Sequence, residues 1–153
     1  MHKVELVEVR IKRMRGIPAE AADEAVLVEG FGIEGDVFGG KTEREISLFD
    51  ESSRLHRYEE RKDGFCTTRF AENLLTRDID YPATSNGTRL AIGDAIIEIT
   101  KSGKECHPEC PVFKREGNCG MHLHGAYSKV VRGGTVHPGD QIKVIPDTEV
   151  ERA

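Results

Sequence analysis

Three of the chain's four cysteines fall within seventeen consecutive residues, 103–119, which read G-K-E-C-H-P-E-C-P-V-F-K-R-E-G-N-C. A thiol does chemistry as a thiolate, either as a nucleophile that takes up sulfur or as a soft metal ligand. Cys106 has cationic or titratable neighbours in Lys104 and His107, which favour the anion, and acidic ones in Glu105 and Glu109, which oppose it. Sequence alone leaves the sign of the effect open. The spacing C-x3-C-x8-C, with His107, His122 and His124 nearby, supplies enough ligands for a tetrahedral zinc site or an iron–sulfur cluster. It matches neither of the paired-knuckle signatures of structural zinc. Cys110 or Cys119 as a resolving thiol for Cys106 is the other reading. Cys66 stands far away in sequence and is expected to be structural.

These residues need a scaffold, and a chain of 153 residues is long enough to bury about two-thirds of its unfolded surface without cross-links. One domain is expected over residues 1–147, with a tail at 148–153. The N-terminal stretch has no apolar run of signal-peptide length, and no segment approaches the length of a membrane span. A cytoplasmic protein is the expectation, and in a reducing compartment clustered cysteines serve catalysis or metal binding more often than cross-linking. The formal net charge of −5 argues against a general nucleic-acid binder.

Residues 3–12 alternate in the period-two pattern of a half-buried strand, and a second apolar stretch lies at 26–28. Residues 31–40, F-G-I-E-G-D-V-F-G-G, hold four glycines and mark a sharp turn in which Asp36 is expected to fix the backbone. This is neither G-x-G-x-x-G nor a Walker sequence. A strand is expected at 44–50, a helix over the charged segment 50–62, and a second short helix at 68–76. Residues 87–100 read as two strands joined by a Gly-Asp turn, and the chain closes on a Pro-Gly-Asp turn and a final strand. Residues 117–127, with His122, His124 and Tyr127, are glycine-rich and read as a flap over a site. Many short strands and two modest helices indicate a mainly β architecture, a barrel or a bent sheet.

The ordered segments G-I-E-G-D, R-E-I-S-L-F-D, R-F-A-E-N-L, G-T-R-L-A-I-G-D, K-E-C-H and G-A-Y-S-K-V-V-R-G-G-T-V-H-P-G-D together resemble the MOSC family, named for the C-terminal domain of molybdenum-cofactor sulfurase. The resemblance runs from about residue 3 to 145 and is to the small stand-alone bacterial type. It implies a MOSC-type β-barrel with short helices and a cysteine that carries sulfur as a persulfide or ligates molybdenum, a role that falls on Cys106. It implies the molybdenum cofactor, molybdopterin, as ligand, with Arg69 and Asn73 in the cofactor pocket. Arg44, Ser47 and Lys104 are further candidates for holding its anionic groups. The functions implied are a sulfur carrier or sulfurtransferase, a molybdenum-dependent reductase of N-hydroxylated compounds, or a non-catalytic cofactor carrier. Partners are then a small-molecule cofactor or substrate and a sulfur-donor or reductase protein. Cys110 and Cys119 depart from the single-cysteine pattern of better-known relatives and favour sulfur handling.

Overall fold

Strand β1, Glu5–Ile11, shows how the apolar pattern is converted into a wall of the core. Leu6, Val9 and Ile11 are buried, but the first and the other two are out of phase for a strict period of two. The register against the neighbouring strand shifts between Leu6 and Glu8, so one extra residue sits in the ladder and re-phases the strand. The adjacent apolar pair Leu6-Val7 is the trace of that bulge in the sequence.

The computed structural model describes residues 4–14, 17, 19–37, 39–40, 45–51, 73–102, 114 and 125–146. The remaining strands among them are β2 Glu20–Ala22, β3 Ala25–Val28, β4 Gly32–Ile33, β5 Ile46–Asp50, β6 Leu74–Arg77, β7 Arg89–Ile92, β8 Ala95–Ser102, β9 Gly125–Arg132, β10 Gly134–Val136 and β11 Ile142–Ile145. Eight form one sheet in the order β11-β7-β8-β9-β5-β6-β1-β2, and three form a second in the order β10-β3-β4. The architecture is mainly β.

Turn chemistry accounts for the connections. β7 and β8 are joined by Gly93-Asp94, with Ile92 opposite Ala95 and Gly93 at φ 55°, the backbone that a two-residue hairpin loop requires. Before β11, Pro138-Gly139 form the centre of a turn in which the Asp140 amide donates to the His137 carbonyl (3.0 Å). Gly139 takes φ 96°, as the third position of a type II turn demands. This turn also curls the large sheet. The Gly139 amide donates to the Leu6 carbonyl (2.7 Å), the Leu6 amide to the Asp140 carbonyl (2.8 Å), and the Ile142 amide to the Val4 carbonyl (2.9 Å). The chain entering the edge strand β11 is thereby tied to β1, near the other edge, and the sheet bends into a barrel around Leu6, Val9, Ile46, Leu48, Leu74, Leu90, Ile97, Ile99 and Val130.

The short helix expected at 68–76 is corrected over its described part. Leu74–Arg77 is a strand, paired in parallel with β5 through Leu48↔Leu74 and Asp50↔Thr76. A short apolar run fits either period. Here Leu74, Leu75 and Thr76 are all buried, because a parallel strand in mid-sheet is covered on both faces. The helix expected over 50–62 lies, from residue 52 onward, outside the described residues.

Candidate functional site

The parallel pair β5–β6 is pinned at both ends by buried polar networks. At its start, the Asn73 side chain is 2% exposed and its amide uses its full hydrogen-bonding capacity within the protein. Its Oδ1 accepts from the Ser47 amide (3.0 Å) and the Ser47 hydroxyl (3.1 Å). Its Nδ2 donates to the Arg10 carbonyl (3.2 Å) and to Asp36 Oδ2 (2.7 Å). Asp36 Oδ2 also accepts from the Lys12 amide (2.9 Å). One amide thus joins β1, β5, the entry to β6 and the glycine-rich turn, and Asp36 fixes that turn as its sequence suggested.

At the far end, the Thr76 hydroxyl donates to Asp50 Oδ1 (3.0 Å) and so accepts from the Tyr81 phenol (2.9 Å). The Ile79 amide donates to the same carboxylate oxygen (3.0 Å). Asp50, Thr76 and Tyr81 are all buried. Burial pushes the Tyr81 phenol far above its ordinary range, and the Asp50 charge adds to the shift, so Tyr81 stays protonated in the folded protein. Just beyond, Arg77 bridges Glu51 (2.7 Å) and Glu5.

A third joint involves Glu45, which is only 4% exposed. Its Oε1 accepts from the Val130 amide (3.0 Å), and the Val130 carbonyl accepts from the Gly30 amide (3.3 Å). Past the start of β5 the ladder partner of β9 is therefore a side chain and a turn, and the two sheets meet there.

Between these joints, the outward face of the large sheet presents a continuous row. Ser47 on β5 is in register with Tyr127 on β9, and Tyr127 with Lys101 on β8. All three are half-buried, and their strand neighbours Ile46, Leu48 and Ala126 belong to the barrel core. Lys101 reaches this row through a bulge. Ala95, Ile97 and Ile99 point inward, and strict alternation would carry Lys101 inward as well. The β8–β9 register shifts between Ile99 and Lys101, placing Thr100 as the extra residue and turning Lys101 to the side of Tyr127. The sequence reading passed over Lys101. The signal for it was present: a lysine at the next core position of an apolar alternation marks a break of phase.

Of the residues singled out from sequence, Ser47 and Asn73 are in direct contact with each other, and Tyr127 is Ser47's cross-strand neighbour. Cys66, Cys106, Cys110, Cys119, Arg44, Arg69, Lys104, His107, His122 and His124 lie outside the described residues. Among the described residues, no group of three or more His, Cys, Asp or Glu side chains is arranged to hold a metal ion, and no helix is long and apolar enough to cross a membrane.

A family model for the MOSC domain matches residues 35–143 of the chain. Among solved structures, the YuaD protein from Bacillus subtilis superposes with a TM-score of 0.67 at 16% identity, over 94% of this chain and 96% of that one. YiiM from Geobacillus stearothermophilus gives 0.66 at 13% identity, over 97% and 82%. YiiM from Escherichia coli gives 0.63 at 17% identity, over 95% and 74%. At such identities the likeness is one of fold. No curated protein sequence matches the chain.

Proposed function

Since the chain belongs to the MOSC domain family, a family associated with the molybdenum cofactor, we propose that it is a sulfur carrier or sulfurtransferase acting on that cofactor, with Cys106 as its reactive thiol. The observation that carries the reading is the match of the family model over a span that includes the cysteine cluster and the residues of the outward row. Among the described residues, the half-buried Lys101 ammonium, in register with Tyr127 and with no carboxylate in its row, suits an anionic group such as the phosphate of a pterin cofactor.

In this reading Arg44, Arg69 and Lys104 hold the cofactor's anionic end, while Ser47, whose hydroxyl donates to Asn73, is structural. Asn73, whose own amide is occupied, orients the Ser47 hydroxyl. When bound, the cofactor supplies a metal centre to which sulfur is delivered. The Cys106 thiolate attacks the outer sulfur of a donor protein's persulfide. The donor's S–S bond breaks, its electron pair leaves on the donor thiolate, and Cys106 holds the sulfur as a persulfide. Cys110 or Cys119, as a thiolate, then attacks the Cys106 Sγ, forms a disulfide with it and expels hydrosulfide.

The test is intact mass without reductant, together with molybdenum content, on protein from a host that makes the cofactor. The parent is expected to carry an adduct of about 32 Da, one sulfur, that Cys106→Ser lacks while remaining folded by circular dichroism. Cys66→Ser keeps the adduct. A folded Cys106→Ser protein that still loads sulfur and retains molybdenum overturns the reading. Stoichiometric molybdenum without any adduct on the parent points instead to the reductase alternative, in which Cys106 is a metal ligand.

A further inference from the structure

We infer that the outward face of the small sheet, which carries Val26 and Val28 inside a rim of Glu24, Glu29 and Glu34, is a docking surface for a cationic protein segment that presents lysine or arginine around an apolar side chain. The inference does not depend on the chemistry proposed for Cys106.

Alternation builds the face. Ala25 and Leu27 of β3, Ile33 of β4 and Val136 of β10 belong to the core, so Val26 and Val28 point away from it, each 38% exposed. Phe31, in the turn from β3 to β4, is 39% exposed and has its ring against Gly39, where an added Cβ would stand 2.2 Å from Cζ. A single exposed apolar residue is ordinary on a protein surface. Here Met14, Ile17, Val26, Val28 and Phe31 are five of the six large apolar side chains exposed among the described residues, so the exposure is concentrated within residues 14–31.

The rim is acidic throughout. Glu24 immediately precedes β3, and Glu29 follows Val28 in the turn. The Glu34 amide donates to the Val26 carbonyl (2.9 Å), and because Ile33 points inward the Glu34 side chain stands on the outward face beside Val26. All three glutamates are exposed, and none of the ion pairs among the described residues uses them. Arg13, whose guanidinium lies beside Gly35, forms none of those pairs either. Residues 16–40 contain six carboxylates and no lysine, arginine or histidine, against a net charge of −5 for the whole chain, so the protein's negative charge is concentrated here.

Charge and geometry together select the occupant. A nucleic acid or an anionic membrane is repelled by this rim. A second copy pairing through the same face would set carboxylate against carboxylate. Both outer strands of the small sheet lie against the barrel: a Cβ added at Gly32 would stand 2.8 Å from the Glu45 carbonyl, and one at Gly134 2.9 Å from the Ala95 amide nitrogen. That leaves the face rather than the edges for a partner, whose cations pair with Glu24, Glu29 and Glu34 while its apolar side chain covers Val26 and Val28.

A short capped peptide of alternating lysine and valine, titrated into the protein and followed by amide chemical shifts, tests the assignment, with an oligolysine of equal charge as the comparison. The alternating peptide is expected to saturate, to shift β3, β4 and β10, and to bind about ten-fold more tightly than oligolysine. Glu24→Gln with Glu34→Gln is expected to weaken binding about three- to ten-fold, and Val26→Ser with Val28→Ser about ten-fold, each with unchanged circular dichroism. Asp80→Asn, at an exposed carboxylate elsewhere, and Val144→Ser, at an exposed valine of β11, are expected to bind as the parent does. A parent with no saturable response overturns the inference. So does equal binding of oligolysine, which would mean Coulombic attraction only. Sedimentation of the protein alone is expected to be the same for the parent and the valine double variant; a parent dimer that this variant dissociates assigns the face to a second copy and also overturns the inference.

Discussion

Replacing Asn73 with alanine removes four hydrogen bonds at once from a site that is 2% exposed. Three are neutral, to the Ser47 amide, the Ser47 hydroxyl and the Arg10 carbonyl, and one is charge-assisted, to Asp36. A neutral bond contributes about 1 kcal/mol net, and one to a charged group about 1.5–3 kcal/mol. The Asp36 carboxylate, 5% exposed, loses one side-chain donor and keeps the Lys12 amide. Allowing for relaxation, the loss comes to about 3–5 kcal/mol, a large share of the roughly 5–15 kcal/mol that holds a domain folded. For a chain of this size that corresponds to a fall in melting temperature of roughly 10–15 °C. Denaturant titration followed by circular dichroism reads it as a lower midpoint at unchanged slope. Asn73→Asp sharpens the test. It keeps acceptors for Ser47 but sets a second carboxylate where a donor now stands 2.7 Å from Asp36 Oδ2. The introduced carboxyl has a folded-state pKa raised above its unfolded value, so the folded form binds its proton more tightly and the deficit of this variant shrinks as pH falls. An Asn73→Ala protein within about 1 kcal/mol of the parent, or an Asn73→Asp deficit independent of pH, would refute the account of this amide as the joint between β1, β5 and the glycine-rich turn.

Tyr81 is expected to stay silent in a spectrophotometric phenol titration until the protein unfolds. Because the unfolded phenol ionises near pH 10 and the buried one does not, stability falls as pH rises past about 10, and Tyr81→Phe removes that contribution to the alkaline transition at a cost of about 1 kcal/mol at neutral pH. Chelation is expected to leave the melting temperature nearly unchanged; a large drop with released zinc or iron would show that the cysteine cluster is a structural metal site. Gly32, at φ 121° with a built Cβ only 2.8 Å from the Glu45 carbonyl, is expected to tolerate alanine poorly, losing about 1–3 kcal/mol by denaturant titration.

What the amino-acid order determined by itself were the features governed by neighbours in sequence. The Gly93-Asp94 hairpin and the Pro138-Gly139 turn follow from backbone angles that few residues adopt, so they are legible from two or three letters. The strands at 46–50 and 142–145 follow from β-branched and apolar content between such turns. The family resemblance was legible because several such local signals recur in one order, and the family model over 35–143 bears it out. Tertiary structure alone decided which way side chains face and which strands pair. Leu74–Arg77 is a strand because β5 offers it a parallel partner and both its faces are covered, conditions that its own residues do not encode. Asn73 became a structural joint because Arg10, Asp36 and Ser47, distant in sequence, arrive around one amide. Lys101 faces Tyr127 rather than the core because a one-residue slip in the β8–β9 ladder reverses the alternation. Local rules set the angles of each residue, whereas register is a property of two strands together, and facing follows from register.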